Sequence, residues 1–312
     1  MNVLISSAGR KVWLVRAFQE ALGGTGRVFA ADTSPNAAAL HVADGRIIVP
    51  PSDQAAFVPT LLEFCRANEV RLLIPTRDGE LELFARHAPE FEAVGVRVVV
   101  SPPEAIQVCQ DKRRFHHFCV EHGFGMPALL EAPTVDDLPV FVRPRRGSGG
   151  AGARIVRRPA DLAELPDDII CSEVVDAPEF TIDVFMDRTG RSISAVPRHR
   201  VQVAAGESQV TRTVEDPELA GRATELCSAL GIVGPATVQA FRRGGQILFI
   251  EVNPRFGGAS ALSFAAGAPT PAWLVSEAAG EVLPSRLGDY ERDLTLLRYG
   301  CDLFVRSEAD DR

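Results

Sequence analysis

Along the first hundred residues the apolar positions alternate between two periods. Residues 2–6 (NVLIS) form a short apolar run, SAGR reads as a turn, and residues 10–22 place apolar side chains at helical spacing. The pattern then repeats, with a strand at 27–31 ending in Asp32, a strand near 46–49, a helix near 53–68, a strand at 72–75, a helix near 78–93 and a strand at 97–100. Strands alternating with amphipathic helices predict a parallel, doubly wound α/β domain over residues 1–105. Beyond it the texture changes. A helix near 111–122 leads to a strand at 138–144 that runs into RRGSGGAGA, and strands follow at 153–157, 168–175, 179–187 and 191–203. A helix near 216–230 precedes a hairpin-like pair at 236–241 and 247–252. This second region, 106–305, reads as α+β with a mostly antiparallel sheet, and residues 306–312 as a fraying tail.

Charge narrows the partners. The chain of 312 residues carries 33 Lys+Arg against 41 Asp+Glu, a net charge of −8, which argues against a general nucleic-acid binder. Only Lys11 and Lys112 are lysines, so amine chemistry has two candidates. No apolar run approaches the roughly 18 residues of a membrane span, and MNVLISSAGR lacks a signal-peptide layout, so a cytoplasmic location is expected. The six cysteines are scattered without metal-ligand spacing and are expected to be reduced. His116 and His117 are adjacent and would point about 100° apart on a helix, which keeps them off one metal face.

The first domain invites a dinucleotide reading, but S-S-A-G-R-K holds one glycine where the G-x-G-x-x-G turn needs three. Chemistry concentrates in the second. The loop at 147–152 can close backbone N–H groups around an anion, with Arg143 adding fixed charge, or can be a flexible hairpin turn. In EVNPRFGG, Glu251 and Asn253 lie two residues apart on a strand and share a face, a pair of oxygen donors suited to Mg²⁺. Gln239 joins them if a three-residue loop or a bulge aligns it with Glu251, whereas a tight two-residue turn would put the two on opposite faces. By itself, CSEVVDAPEFTIDVF at 171–185 reads as a structural hairpin.

The order of these stretches, strand-Arg-Pro, glycine loop, S-E-V-V-x-x-x-E-F-T-x-D, Q-x-F and E-x-N-P-R, resembles the ATP-grasp superfamily, in its single-module carbamoyl-phosphate-synthase-like branch. The resemblance spans nearly the whole chain. It implies a Rossmann-like pre-ATP-grasp domain, then an ATP-grasp fold with a small lid subdomain at about 125–187 and a C-terminal mixed or antiparallel sheet. It further implies ATP as nucleotide and Mg²⁺, or Mn²⁺ in its place, as cofactor. By the same likeness Lys112 and Arg143 match the basic residues at the phosphates, and Gly147, Ser148, Gly149 and Gly150 the phosphate loop. Glu173, Val174 and Val175 match the stretch that reads adenine, and Glu179 the ribose acid. Gln239, Glu251 and Asn253 match the metal ligands, and Arg255 the arginine that steadies the transferred phosphoryl group. The loop departs from the pattern in being short and in carrying two extra charges, Arg145 and Arg146.

The activity so implied is a carboxylate–amine ligase, in which a small-molecule carboxylate is activated as an acyl phosphate, captured by an amine, and ADP and phosphate are released. Alternatives are a carbamoyl-phosphate-type phosphorylation of bicarbonate or carbamate, and a non-catalytic ATP-binding regulatory protein. Neither a nucleic-acid nor a membrane partner is expected, and apolar helices in the N-terminal region allow a homodimer. For the substrate carboxylate, Arg198, Arg200 and Arg212 form a candidate cluster, although Arg198 and Arg200 share a strand face that a solvated surface would also explain. Gly257 and Gly258 are candidates to hold the acyl group through backbone amides.

Overall fold

The computed structural model describes residues 1–147 and 149–306. Two compact units emerge: Met1–Val99 with Pro271–Glu281 and the chain from Leu297, and Val100–Thr270 with Val282–Leu296.

In the first unit β1 (Asn2–Ser6), α1 (Val12–Leu22), β2 (Val28–Asp32), β3 (Gly45–Ile48), α2 (Phe57–Ala67), β4 (Val70–Pro75), α3 (Asp78–Ala93) and β5 (Arg97–Val98) alternate as the apolar periods predict. The strands form one parallel sheet in the order β3-β2-β1-β4-β5. Val3, Leu4 and Ile5 are fully buried, as a parallel strand covered on both faces requires. Helix α1 turns Leu14, Val15, Phe18 and Leu22 inward and stops at Gly23, whose left-handed φ of 53° lets its N–H reach the Gln19 and Glu20 carbonyls. The buried Glu80 joins the ends of β1 and β4, accepting from the Ser6 and Ser7 hydroxyls and the Thr76 N–H. Burial pushes its carboxyl up, against those hydrogen bonds.

The second unit opens with α4 (Pro103–Gln110) and α5 (Lys112–Glu121), then β6 (Val140–Pro144), β7 (Arg154–Val156), α6 (Pro159–Ala163) and β8 (Ile169–Glu173). The main sheet follows with β9 (Glu179–Met186), β10 (Ser192–Ala204), β11 (Glu207–Thr213), α7 (Pro217–Ala229), β12 (Gly234–Arg243) and β13 (Gln246–Asn253). Short helix α8 (Ala261–Ala265), α9 (Thr270–Ala278) and β14 (Thr295–Leu297) complete the chain. Strands β7-β6-β8 form a small antiparallel sheet, and β13-β12-β9-β10-β11-β14 a six-stranded one.

Alternation along β9, β12 and β13 divides the large sheet into two unlike faces. Ile182, Val184, Ala236, Val238, Ala240, Phe249 and Val252 are buried in a core that also holds Phe115 and Cys119 of α5 and Leu219, Ala223 and Leu226 of α7. The opposite face carries polar side chains. The small sheet closes on only four fully buried residues, Val140, Val142, Val156 and Cys171, against twenty in the main core. At roughly 1.5–3 kcal/mol per buried apolar side chain, the small sheet is held by far less apolar burial than the main core. Of the tail, 307–312 lies outside the described residues.

Candidate functional site

The turn between β12 and β13 is Gly244-Gly245, both with positive φ, the tight two-residue connection whose twist suits a hairpin. Such a turn alone would set Gln239 opposite Ile250. The register instead shifts beyond Ala240↔Phe249, leaving Ile250 as an extra residue and pairing Gln239 with Glu251 and Thr237 with Asn253. The bulge thus gathers Gln239, Glu251 and Asn253 on the polar face. Asn253 Nδ2 donates to Glu251 Oε1 at 2.9 Å, and Arg255 Nη2 donates to Asn253 Oδ1 at 3.4 Å.

Two further elements reach this hairpin. Arg143, on the small sheet, donates to the Ile250 carbonyl at 3.1 Å and lies 3.8 Å from Glu251 Oε2. Burial draws its proton affinity down while Glu251 pulls it back up. On β9, Glu179 Oε1 accepts from Gln239 Nε2 at 2.9 Å and from Arg200 Nη1 at 2.8 Å. Gln239 and Arg200 therefore meet at Glu179, while Asn253, Arg255 and Arg143 gather around Glu251.

Among the described residues no three His, Cys, Asp or Glu side chains gather as a metal cage. The set fits Mg²⁺ differently. Gln239 and Asn253 each turn an amide nitrogen toward a carboxylate, and a half-turn of either amide offers oxygen instead, without backbone movement. One carboxylate and two amide oxygens suit a hard cation that keeps water and phosphate as its other ligands.

Lys112 opens α5, which Asp111 caps by accepting from the Arg113 and Arg114 N–H groups. Lys112 Nζ donates to the Gly147 carbonyl at 2.8 Å and its N–H to the Arg145 carbonyl at 3.0 Å. The extra charges Arg145 and Arg146 have a clear place: Arg145 grips both oxygens of the fully buried Asp111, at 2.9 and 2.6 Å, and Arg146 stands 3.5 Å away. Burial pushes the Asp111 carboxyl up, but the Arg145 hydrogen bond, the Arg114 N–H and the two guanidinium charges outweigh it and bring it down to about 2. Sequence reasoning missed this clamp, although an acid before the first helical residue is a visible N-cap signal. In the loop Gly147, Gly149 and Gly150 all take positive φ, while Ser148 lies outside the described residues.

Glu173 ends β8 with its carboxylate accepting from the Ala128 N–H and paired with Arg243 at 2.6 Å. The Arg243 hydrogen bond holds it below the usual carboxylate range against burial. Val174 and Val175 follow, half-buried, before β9 begins.

The arginine cluster needs correction. Arg212 is registered opposite His199, so it lies on the other face from Arg198 and Arg200. It is half exposed, 4.0 Å from Asp293. Arg198 and Arg200 are not solvated: their side chains are 3% and 8% exposed. Arg198 Nε donates to Asp183 Oδ2 at 2.9 Å. Asp183, which sequence reasoning left without a role, also accepts from Ser260 and Ser263 at 2.9 and 2.7 Å and from Thr237 at 3.5 Å. An acid inside the apolar run TIDVF was the signal for it. Ser260 Oγ in turn accepts from the Gly257 N–H at 2.9 Å, so that amide serves the turn itself, whereas Gly258 is exposed. Cys65, Cys119 and Cys227 carry no nucleophile signal, since burial pushes their thiols up to about 12.

A parallel α/β unit, a small antiparallel sheet and a large antiparallel sheet with a metal-suited hairpin define an ATP-grasp architecture. Residues 3–99 match the family model of the PylC-like N-terminal domain, and residues 166–296 the model described as ATP-grasp in the biosynthetic pathway with Ter operon. The chain is an ATP-grasp protein with a PylC-like N-terminal domain. It is 31% identical over 266 residues to the carbamoyl phosphate synthase large chain of Gemmatimonas aurantiaca, a match covering 75% of this chain and 23% of that one. It spans under a quarter of the length of the first curated relatives it matches. Its fold is that of the biotin carboxylase domain of Hydrogenobacter thermophilus 2-oxoglutarate carboxylase, with TM-score 0.74 and 19% identity over 94% of this chain and 73% of that one. N5-carboxyaminoimidazole synthetase from Staphylococcus aureus superposes at 0.72, with 16% identity over 93% and 79% of the two chains. Among the described residues no helix is long and apolar enough to cross a membrane.

Proposed function

We propose that the protein is an ATP- and Mg²⁺-dependent ligase that activates a small-molecule carboxylate as an acyl phosphate for capture by an amine. The observation that carries this reading is the bulge at Ile250, which aligns Gln239 with Glu251 beside Asn253, within reach of Arg143 and Arg255. The Hydrogenobacter domain was solved with MgADP and bicarbonate, and the Staphylococcus enzyme with ADP, which supports a nucleotide in the same place.

In this reading the Glu173–Val175 backbone meets the adenine edge and Glu179 the ribose hydroxyls. Lys112 and Arg143 neutralise the phosphates, and Gln239, Glu251 and Asn253 would hold Mg²⁺, which would supply further charge neutralisation there. A carboxylate oxygen of the substrate attacks the γ-phosphorus while the bond to the ADP bridging oxygen breaks, and Arg255 steadies the moving phosphoryl group. The amine then attacks the acyl carbon, phosphate leaves with the bonding pair, and the amine gives up a proton. Water competes for the acyl phosphate, which is why the loop at 147–152 has to cover it.

A second reading is favoured by the named relatives, whose products are carbamoyl phosphate: bicarbonate or carbamate would be the phosphoryl acceptor. One assay separates the two. ATP, Mg²⁺, hydroxylamine and a panel of carboxylates are mixed with the protein, and ADP and hydroxamate are measured. Hydroxamate formed from an organic carboxylate supports the ligase, while ADP release stimulated only by bicarbonate supports the second reading. Glu251→Gln is expected to lower turnover by at least about 10³-fold, and unchanged activity overturns the metal assignment.

A further inference from the structure

Beyond β14 the chain keeps the alternation of a strand but has no strand beside it. Strand β14 is the outermost of the six-stranded sheet, and no strand among the described residues pairs with its outer edge. From there on the odd positions are Leu297, Tyr299, Cys301, Leu303 and Val305, all exposed. Tyr299 is 83% and Phe304 94% exposed, far more than single apolar residues scattered over a surface would require. The even positions between them include Arg298, Gly300 and Asp302.

This segment is complementary to itself read backwards. Laid antiparallel on a second copy about a two-fold axis at Gly300, Leu297 meets Leu303, Tyr299 meets Cys301 and Thr295 meets Val305, so the apolar face matches itself. On the other face Arg298 of each copy meets Asp302 of the other. Glycine stands opposite glycine at the axis, where the two backbones approach most closely. Other registers lose this match. A slip of one residue sets Leu297 against Asp302 and Arg298 against Cys301, and an axis at Tyr299 or Cys301 leaves Arg298 opposite Gly300 or Phe304 respectively.

We propose that residues 295–305 are a self-association strand, through which two copies of this chain pair antiparallel about a two-fold axis at Gly300. Residues 303–305 of each copy then lie along Thr295–Leu297 of the other and take up the open edge of β14. The occupant is a second copy because the charges and the apolar face complement their own reversed order.

The test reads assembly by sedimentation velocity. Wild-type protein is expected to pass from monomer to dimer as its concentration rises from about 1 to about 100 μM. Arg298→Asp and Asp302→Arg each set like charges opposite one another at both contacts, and each is expected to weaken the dimer at least about tenfold. Mixed in equal amounts, the two variants carry opposite charges at both contacts and are expected to pair with each other about as strongly as wild type. A fault in the fold of either variant would not be repaired by the other. Cys301, the exposed one of the six cysteines, gives a second readout, because it lies diagonally across the axis from its copy, about 7–8 Å away. A short bis-maleimide is expected to join two chains of wild type and none of Cys301→Ser. A wild type that stays monomeric at about 100 μM overturns the proposal. So does a dimer that either single variant leaves intact, a mixture that fails to restore it, or a dimer that the reagent does not join at Cys301.

Discussion

Two arginine–carboxylate pairs stand side by side on the polar face of the large sheet, and they differ in depth more than in chemistry. Arg198 and Asp183 are both almost wholly buried, and three hydroxyls complete the acceptor shell of Asp183. Arg200 and Glu179 lie nearer the site, and Glu179, 29% exposed, takes its other hydrogen bond from a metal-ligand candidate. The inner pair fixes the turn that follows the E-x-N-P-R segment. On the nucleotide reading proposed above, ribose hydroxyls and a cation would replace the donors of the outer pair. The same two residue types thus give a scaffold where every lone pair is taken by a fixed group, and a binding element where one partner is exchangeable.

Removing Asp183 is the largest perturbation this comparison predicts. Asp183→Ala leaves the Arg198 guanidinium buried without its counter-charge, and a loss of about 3–5 kcal/mol is expected in urea unfolding. A loss below about 1 kcal/mol would show that water or a neighbour replaces the carboxylate, and the inner pair would no longer count as scaffold. Glu179→Gln is expected to behave in the opposite way, with unfolding changed by no more than about 1 kcal/mol and MgATP affinity reduced about tenfold. Calorimetry on both variants breaks the comparison if the two effects are reversed.

The sequence shows much of this face and hides its depth. Alternation in TIDVF and FIEVN assigns the faces, and the Gly-Gly turn is readable as a tight hairpin. The pairing of Gln239 with Glu251 is not readable, because a bulge at Ile250 depends on what packs against the strand and leaves no residue signature. The three arginines could not be separated either. Arg212 is parted from Arg198 and Arg200 by a register that β11 sets, and a strand face that reads as solvated from one strand alone is covered once its neighbours pair.

The clamp at the root of the glycine loop extends the comparison to a third carboxylate, the buried Asp111, at an intermediate cost. Its carboxyl titrates at about 2 in the folded chain, below the roughly 3.9 of an unfolded aspartate. Its contribution to stability is therefore complete above about pH 4 and is lost as pH falls through about 2. Arg145→Met removes the main stabilising group, so the difference in unfolding free energy from wild type should be full at neutral pH and shrink steadily below pH 4. A difference that persists unchanged to about pH 2 would mean that Arg145 acts by packing, not by charge.

The smallest effect is expected at Arg212, and that is what makes it informative. Its side chain is half exposed, its nearest acid is 4.0 Å away and itself mostly exposed, and exposed pairs of this kind contribute about 0–1 kcal/mol. Arg212→Ala should leave unfolding within about 0.5 kcal/mol of wild type and MgATP affinity unchanged, because Arg212 faces away from Glu179 and Gln239. If steady-state assays on a carboxylate accepted by the wild type instead give a raised KM for that carboxylate at constant ATP affinity, the substrate approaches from the other face of β11. The polar face of the sheet would then hold the nucleotide alone, and the contrast between the inner and outer pairs would describe nucleotide binding only.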